Sequence, residues 1–189
     1  ARFASESYTY GYLFSEELFD EWEWQEHFAA QPETERYLNH VVDRFDLRRH
    51  MRFDARVAAA AFDEPSGRWN VTLGDGTQLR ARFVIAATGV LSAPYTPDVP
   101  GRDDFRGEAY HTGLWPATPV DFAGKRVAVV GTSSSGVQVV PTILDQVESL
   151  TVYQRTANWC TPLNNTPIAP EEQAQLRADF EDLCQVLNT

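Results

Sequence analysis

Methionine is almost missing from this sequence: among 189 residues there is one, Met51, and the chain opens on Ala1. On that basis it reads as a stretch cut from a longer polypeptide. Cysteine is scarce too. Cys160 and Cys184 stand in unrelated contexts, with no CxxC pair or Cys/His cluster. That pattern argues against a zinc site or a disulfide framework and for two reduced thiols in a cytoplasmic protein. No apolar run approaches the ~20 residues that a membrane helix needs, and no signal-peptide pattern is present. Positive charge is in short supply, 16 Lys and Arg against 27 Asp and Glu, for a net charge of −11. Nucleic acid and anionic membrane both require basic patches, so neither is expected as a partner. No internal repeat is found, and nothing in the sequence specifies an oligomeric state.

What remains is ordinary globular composition, 43% hydrophobic and 23% charged, in a length that allows one or two modest domains with a core. Residues 1–30 are dense in aromatics, with acidic residues between them: Tyr8, Tyr10, Tyr12, Phe14, Phe19, Trp22, Trp24 and Phe28. They read first as rings packed on a core, and second as a wall of a cofactor site. Pro32–Phe45 reads as a helix, with proline in its first turn and Tyr37, Leu38, Val41, Val42 and Phe45 forming one apolar stripe. Met51–Ala60, Trp69–Leu73 and Gln78–Ile85 read as strands, the last two joined by the turn Gly74-Asp75-Gly76-Thr77. Phe83–Ala87 reads as a buried strand running into Thr88-Gly89. Residues 90–104, with Pro94, Pro97, Pro100 and Gly101, cannot sustain a helix or central strand and read as a linker. Lys125–Val130 and Ser149–Tyr153 read as strands around a helix over Val137–Leu144, which Pro141 must kink unless it sits in the first turns. Residues 157–170 read as loop and Glu171–Leu187 as one helix.

The chemistry concentrates in 126–156. A strand, a Gly-rich turn, a helix and a second strand make a βαβ unit whose helix N-terminus offers free N–H groups and a positive dipole end to a pyrophosphate. Against the dinucleotide fingerprint GxGxxG, Gly131 and Gly136 match the first and third glycines, and Ser133 occupies the middle place. The candidate phosphate contacts are Gly131, Thr132, Ser133, Ser134, Ser135, Gly136 and Gln138. A triphosphate-binding loop would continue with Lys and Ser/Thr, where this chain has Val137 and Gln138. The hydrolase elbow GxSxG needs glycines four apart, and these are five apart. About 20 residues on, where NAD-binding units carry an acidic residue, stands Arg155 with Thr156 beside it. A guanidinium pairs bidentately with phosphate, so the expected nucleotide is NADP rather than NAD.

The stretch from Phe105 to Pro116 resembles the fingerprint FxGxxxHxxxW[PD] of the Baeyer–Villiger monooxygenases, with Phe105, Gly107, His111, Trp115 and Pro116 in its fixed places. The resemblance extends along most of the chain. Glu6–Tyr12 is similar to a segment that lines the flavin, although the family's aspartate two residues before that glutamate is Ala4 here. Ala87-Thr88-Gly89 resembles the motif ending the flavin domain, and Gln154-Arg155-Thr156 the NADP-phosphate site. The resemblance implies an α/β fold containing parts of two Rossmann-like dinucleotide-binding domains, three-layered with helices on a sheet, plus an antiparallel β-meander insertion. It implies a partial FAD-binding domain over 1–92 whose amino-terminal glycine loop lies outside the sequence. A linker with the fingerprint then covers 93–120, an NADP-binding unit 121–167, and the start of a helical segment 168–189. It implies FAD contacts at Tyr10, Val57, Thr88 and Gly89, with NADP at the loop and at Arg155 and Thr156. Ketones and O2 are the implied substrates, and esters or lactones the products. His111 and the other fingerprint residues carry no assigned acid–base role in the family. The 189 residues alone are expected to be inactive. The alternatives are another FAD- and NADPH-dependent monooxygenase, of the N-hydroxylase or flavin-containing type, and a non-catalytic nucleotide-binding remnant.

Overall fold

A computed structural model describes residues 2, 4–89 and 91–187. The chain forms two compact units, Ala1–Arg49 with Phe122–Thr189, and His50–Asp121.

The first unit is built on the aromatic amino-terminal segment. Two short helices, α1 (Ser7–Tyr10) and α2 (Glu16–Glu21), precede α3 (Gln31–Arg44). Leu18, Trp24, Ala29, Tyr37 and Val41 are buried together, with Tyr8, Trp22, Phe45 and Ile168 packed around them. The Trp24 and Tyr37 rings lie 4.9 Å apart, and burial of a ring of this size is worth roughly 2–3 kcal/mol. Of the rings in this segment Phe19 and Trp24 are buried and Tyr8 and Trp22 pack against the cluster, whereas Tyr10, Tyr12 and Phe14 are exposed. The α3 stripe is narrower than its spacing suggests. Tyr37 and Val41, one turn apart, face inward, whereas Leu38, about 100° further round the helix, is 44% exposed.

The second unit carries β1 (Val57–Asp63), β2 (Arg68–Leu73) and β3 (Gln78–Ala81), an antiparallel meander in the order β1-β2-β3. Phe62 and Trp69 are cross-strand partners with rings 5.4 Å apart. The predicted Gly74–Thr77 turn is present, closed by bonds from Leu73 N–H to the Thr77 carbonyl (2.9 Å) and from Gly76 N–H to the Leu73 carbonyl (3.0 Å). Two strand predictions need correction. The first strand begins at Val57 rather than Met51, because Asp54 stands at φ +53°, outside the extended region. The third ends at Ala81 rather than Ile85, because its ladder with β2 stops at the Trp69–Ala81 pair. Residues 83–89 form no strand, and Phe83 and Ile85 are 76% and 89% exposed rather than buried. A buried strand needs neighbours on both edges, and no described strand pairs with this run. Within 91–104 only Arg102–Asp104 is regular, as one 3-10 turn.

The rest of the first unit holds β4 (Arg126–Val130), α4 (Ser134–Ile143) and β5 (Ser149–Tyr153). β4 and β5 pair in parallel in a two-stranded sheet. The helix starts three residues earlier than predicted and keeps Pro141 in its second half, not its first turns. The carboxy-terminal helix is two, α5 (Pro170–Ala178) and α6 (Phe180–Leu187). Asp179 between them leaves helical geometry, at φ −96° and ψ 16°, and Phe180 just beyond packs on Phe19 with rings 5.2 Å apart. Among the described residues no helix is long and apolar enough to cross a membrane.

Candidate functional site

The two parallel strands align Arg126 with Ser149 and Val130 with Tyr153. The ladder runs one step further, through the bond from Gly131 N–H to the Tyr153 carbonyl (2.8 Å). Gly131 then turns the chain at φ +104°, a conformation that L side chains rarely adopt. Gly136 is required for a different reason. A Cβ there would meet the Gly131 carbonyl oxygen at 2.4 Å, so α4 can close on the strand end only if this residue has no side chain. Ser133, in the middle-glycine position, is the N-cap of α4 at φ −75°, an ordinary conformation for a residue with a side chain. It accepts the first helical bond, Val137 N–H to the Ser133 carbonyl at 3.0 Å. Ser134, Ser135 and Gly136 therefore form the first helical turn, where amide N–H groups have no intrahelical acceptor. Thr132 to Ser135 reach solvent.

Arg155 and Thr156 follow the end of β5 and are exposed. Among the described residues Arg155 makes no ion pair. The next loop leans back on the glycine turn through Asn158, whose Nδ2 donates to Thr132 Oγ1 at 3.3 Å. Gln138 stands on α4 two residues past Gly136. Its carboxamide binds the main chain of Arg2, accepting from the N–H at 3.0 Å and donating to the carbonyl at 3.1 Å. The Arg2 guanidinium holds the Glu26 carboxylate and donates to the Phe28 carbonyl at 2.7 Å. The hydrogen bond from Arg2 and then that from Asn165 keep Glu26 below the usual carboxylate range. Arg2 and Glu26 were not singled out from the sequence. Their partners are up to 139 residues away, and no local pattern marks them.

Tyr10 closes α1 and is 47% exposed. The Tyr8 hydroxyl donates to the Glu6 carboxylate. Burial first, and then Glu6, push the Tyr8 phenol up to about 12. Val57, opposite Leu73 in the meander, and Thr88 and Gly89 belong to the second unit, and all three are exposed.

The fingerprint stretch has its own internal logic. The Phe105 ring lies over Gly107, where a Cβ would come within 2.4 Å of it. His111 caps the 3-10 turn Thr112–Leu114: its Nδ1 accepts from Gly113 N–H at 3.0 Å, and its Nε2 lies 3.2 Å from the Tyr95 carbonyl. With Nδ1 accepting, Nε2 carries the proton and donates it to Tyr95. Both ring nitrogens are thus spent on holding the loop, which fits a structural histidine. Tyr110 and Trp115 stack obliquely, with centroids 5.8 Å apart. No group of three potential metal-ligating side chains occurs among the described residues.

Residues 3–182 match the family model described as pyridine nucleotide-disulphide oxidoreductase. The chain is 43% identical to the 2-oxo-Δ3-4,5,5-trimethylcyclopentenylacetyl-CoA monooxygenase of Pseudomonas putida, an alignment covering 100% of this chain and 36% of that protein. It is 42% identical to the acetone monooxygenase (methyl acetate-forming) of a Gordonia strain, over 99% of this chain and 35% of the relative. Among solved structures, OTEMO in complex with FAD and NADP superposes with a TM-score of 0.90 at 44% identity, over 98% of this chain and 36% of that one. The chain therefore spans about a third of the length of the proteins it matches.

Proposed function

Because the chain belongs to the pyridine nucleotide-disulphide oxidoreductase family and its relatives include Baeyer–Villiger monooxygenases, we propose that it supplies the NADPH-docking part of an enzyme that oxidises ketones to esters or lactones with O2. The observation that carries this reading is the Gly131–Gly136 turn, closed onto α4 with Ser134 and Ser135 of its first turn exposed and with Arg155 at the end of the neighbouring strand. That arrangement fits a dinucleotide. Thr132 to Gly136 would hold the pyrophosphate through main-chain N–H groups and the helix dipole. Arg155 would pair with the 2′-phosphate, and the Thr156 hydroxyl would add a donor. Tyr10, Val57, Thr88 and Gly89 are proposed to face FAD. Residues 1–92 would then belong to the flavin domain, 93–120 to the linker, 121–167 to the NADP unit and 168–189 to a further helical segment.

NADPH would supply a hydride, and FAD would use it to activate O2 for insertion of one oxygen beside the ketone carbonyl, so that ketone, O2, NADPH and a proton become ester, NADP+ and water. The residues of this chain bind and orient. His111 fixes the fingerprint loop and takes no proton in this scheme. With two free cysteines, the cytoplasm is the setting we assign. The partners are the ketone and O2, without nucleic acid or membrane.

Two measurements test the reading. Calorimetric titration should give clear preference for NADPH over NADH; equal affinity would remove the role given to Arg155. In the full-length flavin-loaded protein, NADPH consumption should depend on a ketone and yield an ester. Consumption driven instead by an amine, with no ester formed, would assign a different monooxygenase chemistry. The 189 residues alone are expected to form no ester.

A further inference from the structure

Gln138 lies in α4, two residues past Gly136, the last glycine of the candidate phosphate loop. Both ends of its carboxamide are spent on the main chain of Arg2, at 3.0 and 3.1 Å, which also fixes the orientation of the amide. The chain of bonds continues. Arg2 holds Glu26 and the Phe28 carbonyl, Glu26 accepts from Asn165 Nδ2 at 2.5 Å, and Asn165 Oδ1 accepts Phe28 N–H at 2.9 Å. The same 26–29 segment is gripped from its other side by Ser7, which is fully buried. Its hydroxyl donates to the Glu26 carbonyl at 2.7 Å and accepts Ala29 N–H at 2.8 Å, and its own N–H donates to the His27 carbonyl at 2.6 Å. Ser7 opens α1, which ends at Tyr10. One continuous network thus runs from the helix of the glycine loop to the Glu6–Tyr10 segment.

We infer that Gln138 and Asn165 are positioning residues: through Arg2 and Glu26 they fix the glycine-loop helix relative to Ser7–Tyr10, and so set where a nucleotide on Ser134–Gly136 lies against a flavin beside Tyr10. The inference rests on the NADPH and flavin reading given above. It separates two jobs that sequence spacing merges. The first turn of α4 binds phosphate, and Gln138, on the same helix, holds that turn in place without touching the nucleotide. Hydride transfer is sensitive to such placement, since a shift of about 1 Å caused far from the chemistry can cost up to ~100-fold in rate.

The test uses the full-length flavin-loaded protein and its Gln138→Leu, Asn165→Leu and doubly substituted forms. Each is mixed anaerobically with NADPH, and flavin bleaching is followed over a range of NADPH concentrations. Flavin content separates a rate effect from failure to fold. Each single substitution should lower the limiting reduction rate roughly tenfold or more, and should leave the half-saturating NADPH concentration nearly unchanged. The double form should be no slower than the slower single, because both cut one network. A raised half-saturating concentration with an unchanged limiting rate would make Gln138 a direct nucleotide ligand and overturn the proposal. So would losses that multiply in the double form. A wild-type flavin that NADPH cannot reduce would instead overturn the functional reading. The network would then be judged by chemical unfolding of the same four proteins, where additive losses refute the linkage and non-additive ones uphold it.

Discussion

A Cβ on Gly136 would stand 2.4 Å from the carbonyl oxygen of Gly131. The atom in its way is backbone, held by the strand pairing that carries Gly131 N–H to the Tyr153 carbonyl, and cannot rotate aside. Gly136→Ala must therefore push α4 off the strand end. The expected cost is on the order of 1–3 kcal/mol of stability, together with loss of NADPH binding, because the first-turn amides move with the helix. Thermal unfolding and a nucleotide titration check this together. Retention of both would mean that the loop closes in another way. Ser133→Gly is the converse case: Ser133 already sits at φ −75°, so glycine relieves no strain there, and any gain in NADPH affinity would come from closer approach of the phosphates.

Arg155 makes no ion pair among the described residues and lies in solvent at the end of β5. Its removal should leave folding alone and act on one ligand only. A charged hydrogen-bonding pair is worth about 1.5–3 kcal/mol, so Arg155→Ala should weaken NADPH binding roughly ten- to a hundredfold and leave NADH binding nearly unchanged. Parallel titrations with the two nucleotides decide it. An equal loss for both would place the arginine against a group they share.

The βαβ unit was legible because its signals are local. Arg126–Val130 and Ser149–Tyr153 appear as strands nearly as read, and Gly131 and Gly136 stand where the loop needs them. The turn at Gly74–Thr77 was legible for the same reason. The misreadings concern partners. Phe83–Ala87 has the composition of a buried strand, but composition does not supply the neighbouring strands that would bury it. Nor does anything local to Gln138, expected beside the nucleotide, show that its amide is bonded to Arg2, 136 residues away. Leu38 belongs to an apolar stripe of which Tyr37, Val41 and Phe45 meet the buried cluster, while Leu38 itself stays exposed. One-dimensional spacing states what an element can present, and tertiary packing decides what receives it.

Gly107 meets a ring rather than a backbone atom: the Phe105 edge would lie 2.4–2.7 Å from an added Cβ. Phe105 is 64% exposed and can swing outward, so Gly107→Ala should cost little stability, within about 1 kcal/mol, while displacing Phe105 from the fingerprint loop. His111→Ala should cost more, because it removes two hydrogen bonds that hold the loop, those to Gly113 N–H and the Tyr95 carbonyl. Comparing the Tm of the two variants checks the order. A larger loss for Gly107→Ala would show that the ring cannot move.

The Tyr8 phenol gives a pH signature confined to alkaline solution. Its ordinary value of 10.0 is raised to about 12, by burial first and then by the hydrogen bond to Glu6 and that group's charge. The folded state therefore keeps the proton more tightly than the unfolded chain. The corresponding stability is fully present below pH 10 and is lost as the pH rises towards 12. Tyr37 is raised in the same direction by its own burial, its hydroxyl accepting the Tyr12 N–H at 2.7 Å. A spectroscopic titration of phenolate should show two of the seven tyrosines ionising late, coincident with unfolding. Tyr8→Phe should remove one of them and flatten the fall in stability between pH 10 and 12. An unchanged slope in that variant would mean that the Glu6–Tyr8 contact does not hold in solution.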